Sequence, residues 1–483
     1  MNFSEYSEYD AVGLAQLIKS GQVTAQEVQQ IARQAILAVN PKLNALVGGI
    51  FEEPLPSSPS GPFAGVPFAI KDLSIHAAGV RTGLGSRLTG DGIIFPHDTD
   101  LMARFKQAGL VTLARTATPE FGFNASTEPV SNGPAHNPWD STRSTGGSSG
   151  GSAALVAARA IPVAHGTDGA GSIRIPAAWC GLVGLKPTRG RIPSGPDSDE
   201  RLSGLGVDFA LARTVRDVAA LLDAANGPGI GDKYFAAPPA RPYMQEISTP
   251  PGRLRIAMTT QAWSGVPVDK EYASTVETVC RELAALGHDV EQASPRVDWE
   301  RFVDANLPIW TASIAENALT LAQARGIEVG PDVLEAVTLA SVEYGRRLTA
   351  VDLLRALRLC NIITREVRAF FEAEGEENRR TCDVLVTPTV AGPPPPLGTL
   401  NQNDPNIDPR GWFDRLFALI PFTPLFNVTG QPAISLPLGQ SSAGLPIGVQ
   451  FVARYGDEAT LLRLAAQLEQ ARPWIDRRPS MDE

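Results

Sequence analysis

Apolar positions along this chain follow two rhythms: short unbroken runs that suit buried strands, and longer stretches with apolar residues every three to four positions that suit helices. The helical rhythm comes first. It covers Asp10 to Ser20, stopped by Gly21, and then a stretch opened by Thr24 with Glu27 placed to complete a capping box. Glu52 to Pro62 is rich in proline and serine and reads as a linker. Phe63 to Asp72 is an apolar run interrupted at its end by Lys71, and it predicts a buried strand. Asp98 to Ala108 is an amphipathic helix closed by Gly109, and Leu110 to Arg115 is the next strand. Ala153 to Arg159 is a strong helix former, followed by a short strand at Ile161 to Ala164. Thr214 to Ala225 is helical, and Leu254 to Met258, Lys270 to Leu286 and His288 to Glu291 repeat the order strand, helix, strand.

Residues 300–375 are mostly helical, with Thr349 capping Leu353 to Phe371, and predict a subdomain or a flap over the sheet. Pro393 opens a polar loop reaching about Arg410, too long for a simple connection and therefore a candidate for lining a pocket. Phe451, Val452 and a helix from Asp457 to Gln470 close the chain. There is no internal repeat and no low-complexity tail. The alternation of strands and helices predicts an α/β fold, with residues 1–60 as N-terminal helices and linker packed on a main domain over 61–483.

Composition narrows the function classes. Of 483 residues 43% are hydrophobic and 19% charged, so the chain buries a large core. A net charge of −10 argues against nucleic acid or an anionic membrane surface as partner, and favours a small-molecule substrate. The four cysteines and five histidines show no zinc-site spacing, so no metal is expected and the cysteines read as reduced packing residues. The N-terminus carries neither a basic start nor an apolar run, which predicts a cytoplasmic protein. Asn124-Ala-Ser126 and Asn427-Val-Thr429 match a glycosylation pattern that is meaningless without secretion.

The chemistry concentrates in Ser144-Thr-Gly-Gly-Ser-Ser-Gly-Gly-Ser152 and in Gly166-Thr-Asp-Gly-Ala-Gly-Ser-Ile-Arg174. Glycines there allow sharp turns with free N–H groups around Ser148, Ser149 and Ser172, and the helix and strand between the two loops bring them back together. Gly146 to Gly150 formally satisfies the G-x-S-x-G nucleophile elbow. That motif needs a strand directly before the serine, whereas Asp140 to Thr145 reads as a polar loop, and no histidine stands in a catalytic setting. No phosphate-binding glycine pattern is present. A glycine-rich turn without chemistry is the remaining bland reading.

These segments, with Cys180-Gly-Leu-Val-Gly-Leu-Lys-Pro-Thr188, resemble the amidase signature family of Ser–cis-Ser–Lys hydrolases. Weaker resemblance runs from Gly65-Val-Pro-Phe-Ala-Ile-Lys-Asp72 to Asn427-Val-Thr-Gly-Gln-Pro-Ala433 and Gly444-Leu-Pro-Ile-Gly-Val-Gln450. The resemblance implies an α/β/α sandwich around a large mixed sheet, and an amidase that cleaves a carboxamide C–N bond without cofactor. It makes Ser172 the nucleophile, Ser148 the bridging serine on a cis peptide and Lys71 the base. Lysine suits that role only when burial lowers its pKa, which the apolar run before it supplies.

The same resemblance puts the oxyanion hole on the N–H groups of Gly169, Ala170, Gly171 and Ser172, and the acyl pocket beside Phe121, Gly122, Phe123 and Asn124. Ala170 departs from the usual glycine, which requires either a negative φ or some strain. Asp168 and Arg174 should pair across the loop, and Asp72, Thr145 and Ser149 should hydrogen-bond around Lys71 and the loop. Trp310, Trp412, Phe413, Phe417, Phe422 and Phe426 add apolar surface and favour an apolar, aliphatic or aryl amide, with esters and urethanes as side substrates. The branch that includes aryl acylamidases and the hydrolase of cyclic nylon dimer looks nearest; the sequence does not set the oligomeric state, and a homodimer is one assembly open to it. Two alternatives stand beside this: the glutaminase subunit of a tRNA-dependent amidotransferase, against which Arg174-Ile-Pro176 argues in place of the usual Arg-Gln-Pro, and an inactive scaffold, against which the intact Lys71, Ser148 and Ser172 argue.

Overall fold

The apolar run that ends in Lys71 forms the strand Pro67–Lys71, every residue of it buried. In the computed structural model, which describes residues 1–372 and 382–480, this strand lies inside a sheet of 11 strands. Across the sheet the order is Leu46–Ile50, Val111–Thr116, Pro67–Lys71, Val163–Asp168, Val207–Ala212, Val183–Lys186, Ala433–Gln440, Pro446–Ala453, Val384–Pro388, Arg255–Met258 and Asp289–Gln292. Pro67–Lys71 is parallel to both neighbours, while Val207–Ala212 is antiparallel to both of its own, so the sheet is mixed. The unbroken apolar runs are explained by helices covering both faces.

Ala25–Leu43 begins with the capping box expected at Thr24 and Glu27, and Ala11–Lys19 begins on the Asp10 side chain. Leu14, Val28 and Ile36 from these helices enter the same apolar core as Phe68, Ile70 and Leu211 of the sheet. Leu46–Ile50, at the sheet edge, escapes the sequence reading because Gly48 and Gly49 dilute its pattern and only one of its residues is buried. The helix expected from Ala153 starts at Gly150, and the strand expected to stop at Ala164 continues to Asp168. Thr167 and Asp168 extend that strand despite their polarity because the site described below satisfies them.

Asp140 to Thr145, expected as a loop, contains the strand Asp140–Ser144, which pairs with His136–Asn137 in a ribbon outside the main sheet. The loop expected to line a pocket from Pro393 onward zips onto this ribbon instead: Ser144 N–H donates to the Pro395 carbonyl and Leu397 N–H to that of Thr142. The helical region resolves into Trp299–Arg325, Ala336–Gly345 and Ala350–Glu372, its last three expected positions lying outside the described residues. With the helix Pro409–Leu419 it builds a second apolar cluster around Trp310, Trp412 and Phe413. Among the described residues no helix is long and apolar enough to cross a membrane. All four cysteines are buried and unpaired, and Asn124 and Asn427 are buried too.

Candidate active site

Lys71 ends its strand, and Thr167 and Asp168 end the parallel neighbour, so the C-terminal ends of two adjacent interior strands deliver polar side chains together. Lys71 Nζ, fully buried, donates to Ser148 Oγ at 2.7 Å, Ser149 Oγ at 3.1 Å and Thr167 Oγ1 at 2.7 Å. Burial disfavours the ammonium and pushes Lys71 down to about 7, against the Asp208 and Asp168 carboxylates, which raise it. Ser149 donates its own proton to the Thr167 carbonyl at 3.3 Å. The Gly147–Ser148 peptide is cis.

Beside this cluster lies a cavity of about 360 Å³, which Ser172, Ala170 and Gly122 all line. Ser148 packs next to Gly122 of this wall, a Cβ on Gly122 coming within 3.1 Å of Ser148 Oγ. Phe123, Ile175, Trp310, Phe413, Leu416 and Phe417 make the rest of the wall largely apolar. Phe123 is fixed from three sides, by Trp310 stacked at 5.4 Å, by Phe413 at 5.8 Å, and by Trp412 Nε1, which donates to its carbonyl at 3.0 Å.

The turn that carries Ser172 is held by a buried ion pair. Arg174 donates twice to Asp168, at 2.8 and 2.9 Å, and its remaining N–H groups reach Asn427 Oδ1, Gln450 Oε1 and the Thr423 carbonyl at 2.7 to 2.9 Å. Burial raises the Asp168 pKa, but the Arg174 guanidinium outweighs it and holds the carboxyl down at about 2. Of the four N–H groups on the turn, that of Gly171 donates to Asp168 Oδ1 at 2.8 Å, whereas those of Gly169, Ala170 and Ser172 have no acceptor among the described residues.

Several expected positions are corrected by this geometry. Gly171 N–H is committed to Asp168 and unavailable to a substrate oxygen. Asp72 turns away from the lysine amine: it accepts from Gly83 N–H at 2.8 Å and lies 3.7 Å from Arg115, which in turn donates to the Lys71 carbonyl at 3.2 Å. Thr145 does hydrogen-bond within the glycine loop, donating to the Gly146 carbonyl at 3.0 Å, and Lys71 takes none of its bonds. Phe121, at a left-handed φ of 51°, packs into the second apolar cluster and not along the cavity. Asn124 lines the cavity, but its amide is spent on the Leu400 carbonyl. Trp412, Phe422 and Phe426 are buried behind the wall. Thr167, Asn427 and Gln450 are the residues missed, although all three fall within the segments that carry the family resemblance.

Ala170 stays out of the left-handed region that its neighbour Gly171 occupies at φ 128°. A methyl group there is therefore unstrained, and Ala170→Gly is expected to keep kcat/KM on an anilide within about tenfold, equivalent to roughly 1.4 kcal/mol. Complete loss in a folded variant would show that the methyl itself is required.

The amidase family model matches residues 31–462. The chain belongs to the amidase family. It is an amidohydrolase that cleaves carboxamide C–N bonds. It is 40% identical to the 6-aminohexanoate-cyclic-dimer hydrolase of Pseudomonas sp. (strain NK87), over 98% of this chain and 96% of that one. A solved structure of a 6-aminohexanoate cyclic dimer hydrolase superposes with a TM-score of 0.89 at 38% identity, covering 98% of this chain and 99% of the other. A glutamyl-tRNA(Gln) amidotransferase subunit from Thermotoga maritima is more distant, at 24% identity and a TM-score of 0.70 over 98% of this chain and 95% of that one, a likeness of fold alone.

Proposed function

We propose that this amidase works through an acyl-enzyme on Ser172, with Ser148 as proton bridge and Lys71 as base, on amides with an apolar aliphatic or aryl portion. The observation that carries the proposal is a buried lysine amine 2.7 Å from Ser148, beside a cavity lined by Ser172. An ammonium donates three hydrogen bonds, matching the three hydroxyl oxygens around Nζ. The neutral amine has two N–H groups and a lone pair, so one hydroxyl must turn and donate to it. With the Ser149 proton held by a carbonyl, Ser148 and Thr167 are left for that role, and Ser148 is the one packed against Gly122 of the cavity wall.

In the reaction Lys71 takes the Ser148 proton as Ser148 takes that of Ser172, and Ser172 Oγ attacks the carbonyl carbon. The N–H groups of Gly169, Ala170 and Ser172 receive the developing oxyanion, each worth roughly 3 to 4 kcal/mol. The proton returns along the same path to the departing amine, and water then releases the acid. Ile175 and the aromatic wall favour an apolar group over the side chain of glutamine. The 6-aminohexanoate cyclic dimer named for the relatives is an amide of the aliphatic kind. Esters and urethanes share the acyl step and are expected side substrates. The N-terminal helices to about residue 60 serve as a support for the catalytic unit, and the unpaired cysteines fit a reducing, cytoplasmic setting.

A fluorophosphonate tests the nucleophile, because trypsin separates the candidates: Ser148 and Ser149 fall in the peptide 144–159 and Ser172 in the peptide 160–174. The adduct is expected on 160–174, and on no peptide of a Ser172→Ala protein. Modification of 144–159 in its place overturns the assignment.

A further inference from the structure

Away from the cavity, three loops bring together two histidines and a carboxylate that take no part in the chemistry above. His97 Nε2 lies 2.9 and 3.2 Å from the two Asp197 oxygens, and His76 Nε2 lies 3.2 Å from Asp197 Oδ2. We propose that His76, His97 and Asp197 form a binding site for a divalent transition-metal ion of the zinc type.

The donor set is the first argument. Two imidazoles and one carboxylate suit Zn²⁺ and its first-row neighbours, and Ca²⁺ or Mg²⁺ would instead call for a cage of oxygens. Spacing is the second. All three donor atoms lie within 4.8 Å of one another. A tetrahedral ion about 2.0–2.2 Å from each ligand separates neighbouring ligands by roughly 3.3 Å, so the donors need little movement to close on it. The third argument comes from His76. It is only 4% exposed, and its Nε2 makes no hydrogen bond although Asp197 Oδ2 is 3.2 Å away, so the ring offers that carboxylate a nitrogen without the alignment of a hydrogen bond. A buried polar atom left unpaired in this way calls for a partner. Its ring is held by Phe95, stacked at 3.8 Å and 9°, which fixes the direction of the nitrogen.

Charge does not oppose the ion. The guanidiniums that act on His76, Arg115 and Arg201, are each engaged by a carboxylate, Asp72 and Asp208 respectively. Access is open, because the His97 and Asp197 side chains are each 43% exposed, which leaves the fourth coordination position to water. No sequence motif announces this site, since its ligands come from three separated loops in place of the close pairs that mark zinc modules.

The position says what the ion would do. His76 lies in the segment that leaves Lys71, and Arg115 holds both the Lys71 and Ile75 carbonyls at 3.2 and 3.3 Å. Asp197 lies on the loop that leads to Arg201, whose guanidinium donates to the Ser74 carbonyl at 3.3 Å. A bound ion staples these loops together beside the base-carrying strand, and it acts on stability without touching substrate.

The test uses the full-length protein, stripped with a chelator, exchanged into metal-free buffer and titrated with ZnCl₂ by calorimetry. One Zn²⁺ per chain is expected, bound at least tenfold more tightly than by His97→Ala, His97→Gln or Asp197→Ala, while His136→Ala, on a half-buried histidine elsewhere, binds as the native protein does. Co²⁺ should give the visible absorption of tetrahedral coordination, absent in the same variants, and saturating Zn²⁺ should raise Tm by about 2 °C or more. Because His97 and Asp197 are exposed and outside the catalytic cluster, the metal-free variants should fold and hydrolyse amides normally. Absence of Zn²⁺ binding, or equal binding by native protein and all three variants, overturns the proposal and leaves a carboxylate hydrogen-bonded to His97 and in contact with His76.

Discussion

Lys71→Ala and Lys71→Arg should each lower kcat by about a thousandfold, the scale of a lost general base, while leaving the protein folded. Arginine fails with alanine because a guanidinium stays protonated at every usable pH. The native enzyme should lose kcat/KM as pH falls through about 7, the value to which burial lowers Lys71, and level off above it. The sign follows from the chemistry: a depressed lysine pKa makes the neutral, proton-accepting form the majority above that value and the idle ammonium the majority below it. His76→Ala should leave this profile in place, since His76 faces Asp197 and does not line the cavity. A profile that stays flat through neutrality, or one abolished by His76→Ala, defeats the role given to Lys71.

Arg174→Met should destabilise the protein by about 3–5 kcal/mol, read as a fall in the urea midpoint, because it leaves the buried Asp168 carboxylate without its counter-charge. Asp168→Asn combined with Arg174→Met should cost clearly less than the two single losses added together, the orphaned charge being the larger part of the penalty. Since the folded pKa of Asp168 is depressed to about 2, its contribution is complete above the ordinary aspartate value and disappears as pH falls through about 2. Arg174→Met should also impair turnover at permissive temperature, because Asp168 accepts the Gly171 N–H that shapes the turn before Ser172. Equal stability of Arg174→Met and native protein at neutral pH would contradict this account.

The strands beside Lys71 and Thr167 were legible because both faces of the sheet are covered and their apolar runs are nearly unbroken. Leu46–Ile50 was hidden by its glycines, and the polar end of Val163–Asp168 by the fact that the partners of Thr167 lie far away in sequence. Ser148, Ser149 and Ser172 stood out through glycine-rich turns, a local signal. The orientation of Asp72 was not local. Its partners are Gly83 N–H and Arg115; the alternation of a strand turns consecutive residues to opposite sides, but the order Lys71-Asp72 does not say which groups each side meets. Thr167, Asn427 and Gln450 went unmarked for a related reason: an uncharged side chain acquires its role only from the Lys71 amine or Arg174 guanidinium that folding sets against it.

The cavity wall has three main origins, one of them the segment Gly122 to Ala125. Ala170 and Ser172 sit on the turn that leaves the sheet, whereas Trp310, Phe413, Leu416 and Phe417 come from Trp299–Arg325 and Pro409–Leu419, which share the second apolar cluster with Phe123 and Ile175. The fold thus keeps its tool and its grip on separate handles. Exchanging a bulky ring on the helices for a smaller one reshapes what the enzyme can hold while the lysine, the serines and their ion-pair brace stay in register. Diversification toward new amides, in nature or at the bench, has a small set of positions on which to act, Phe413, Leu416 and Phe417 before Trp310, which also packs against Gly169 of the turn.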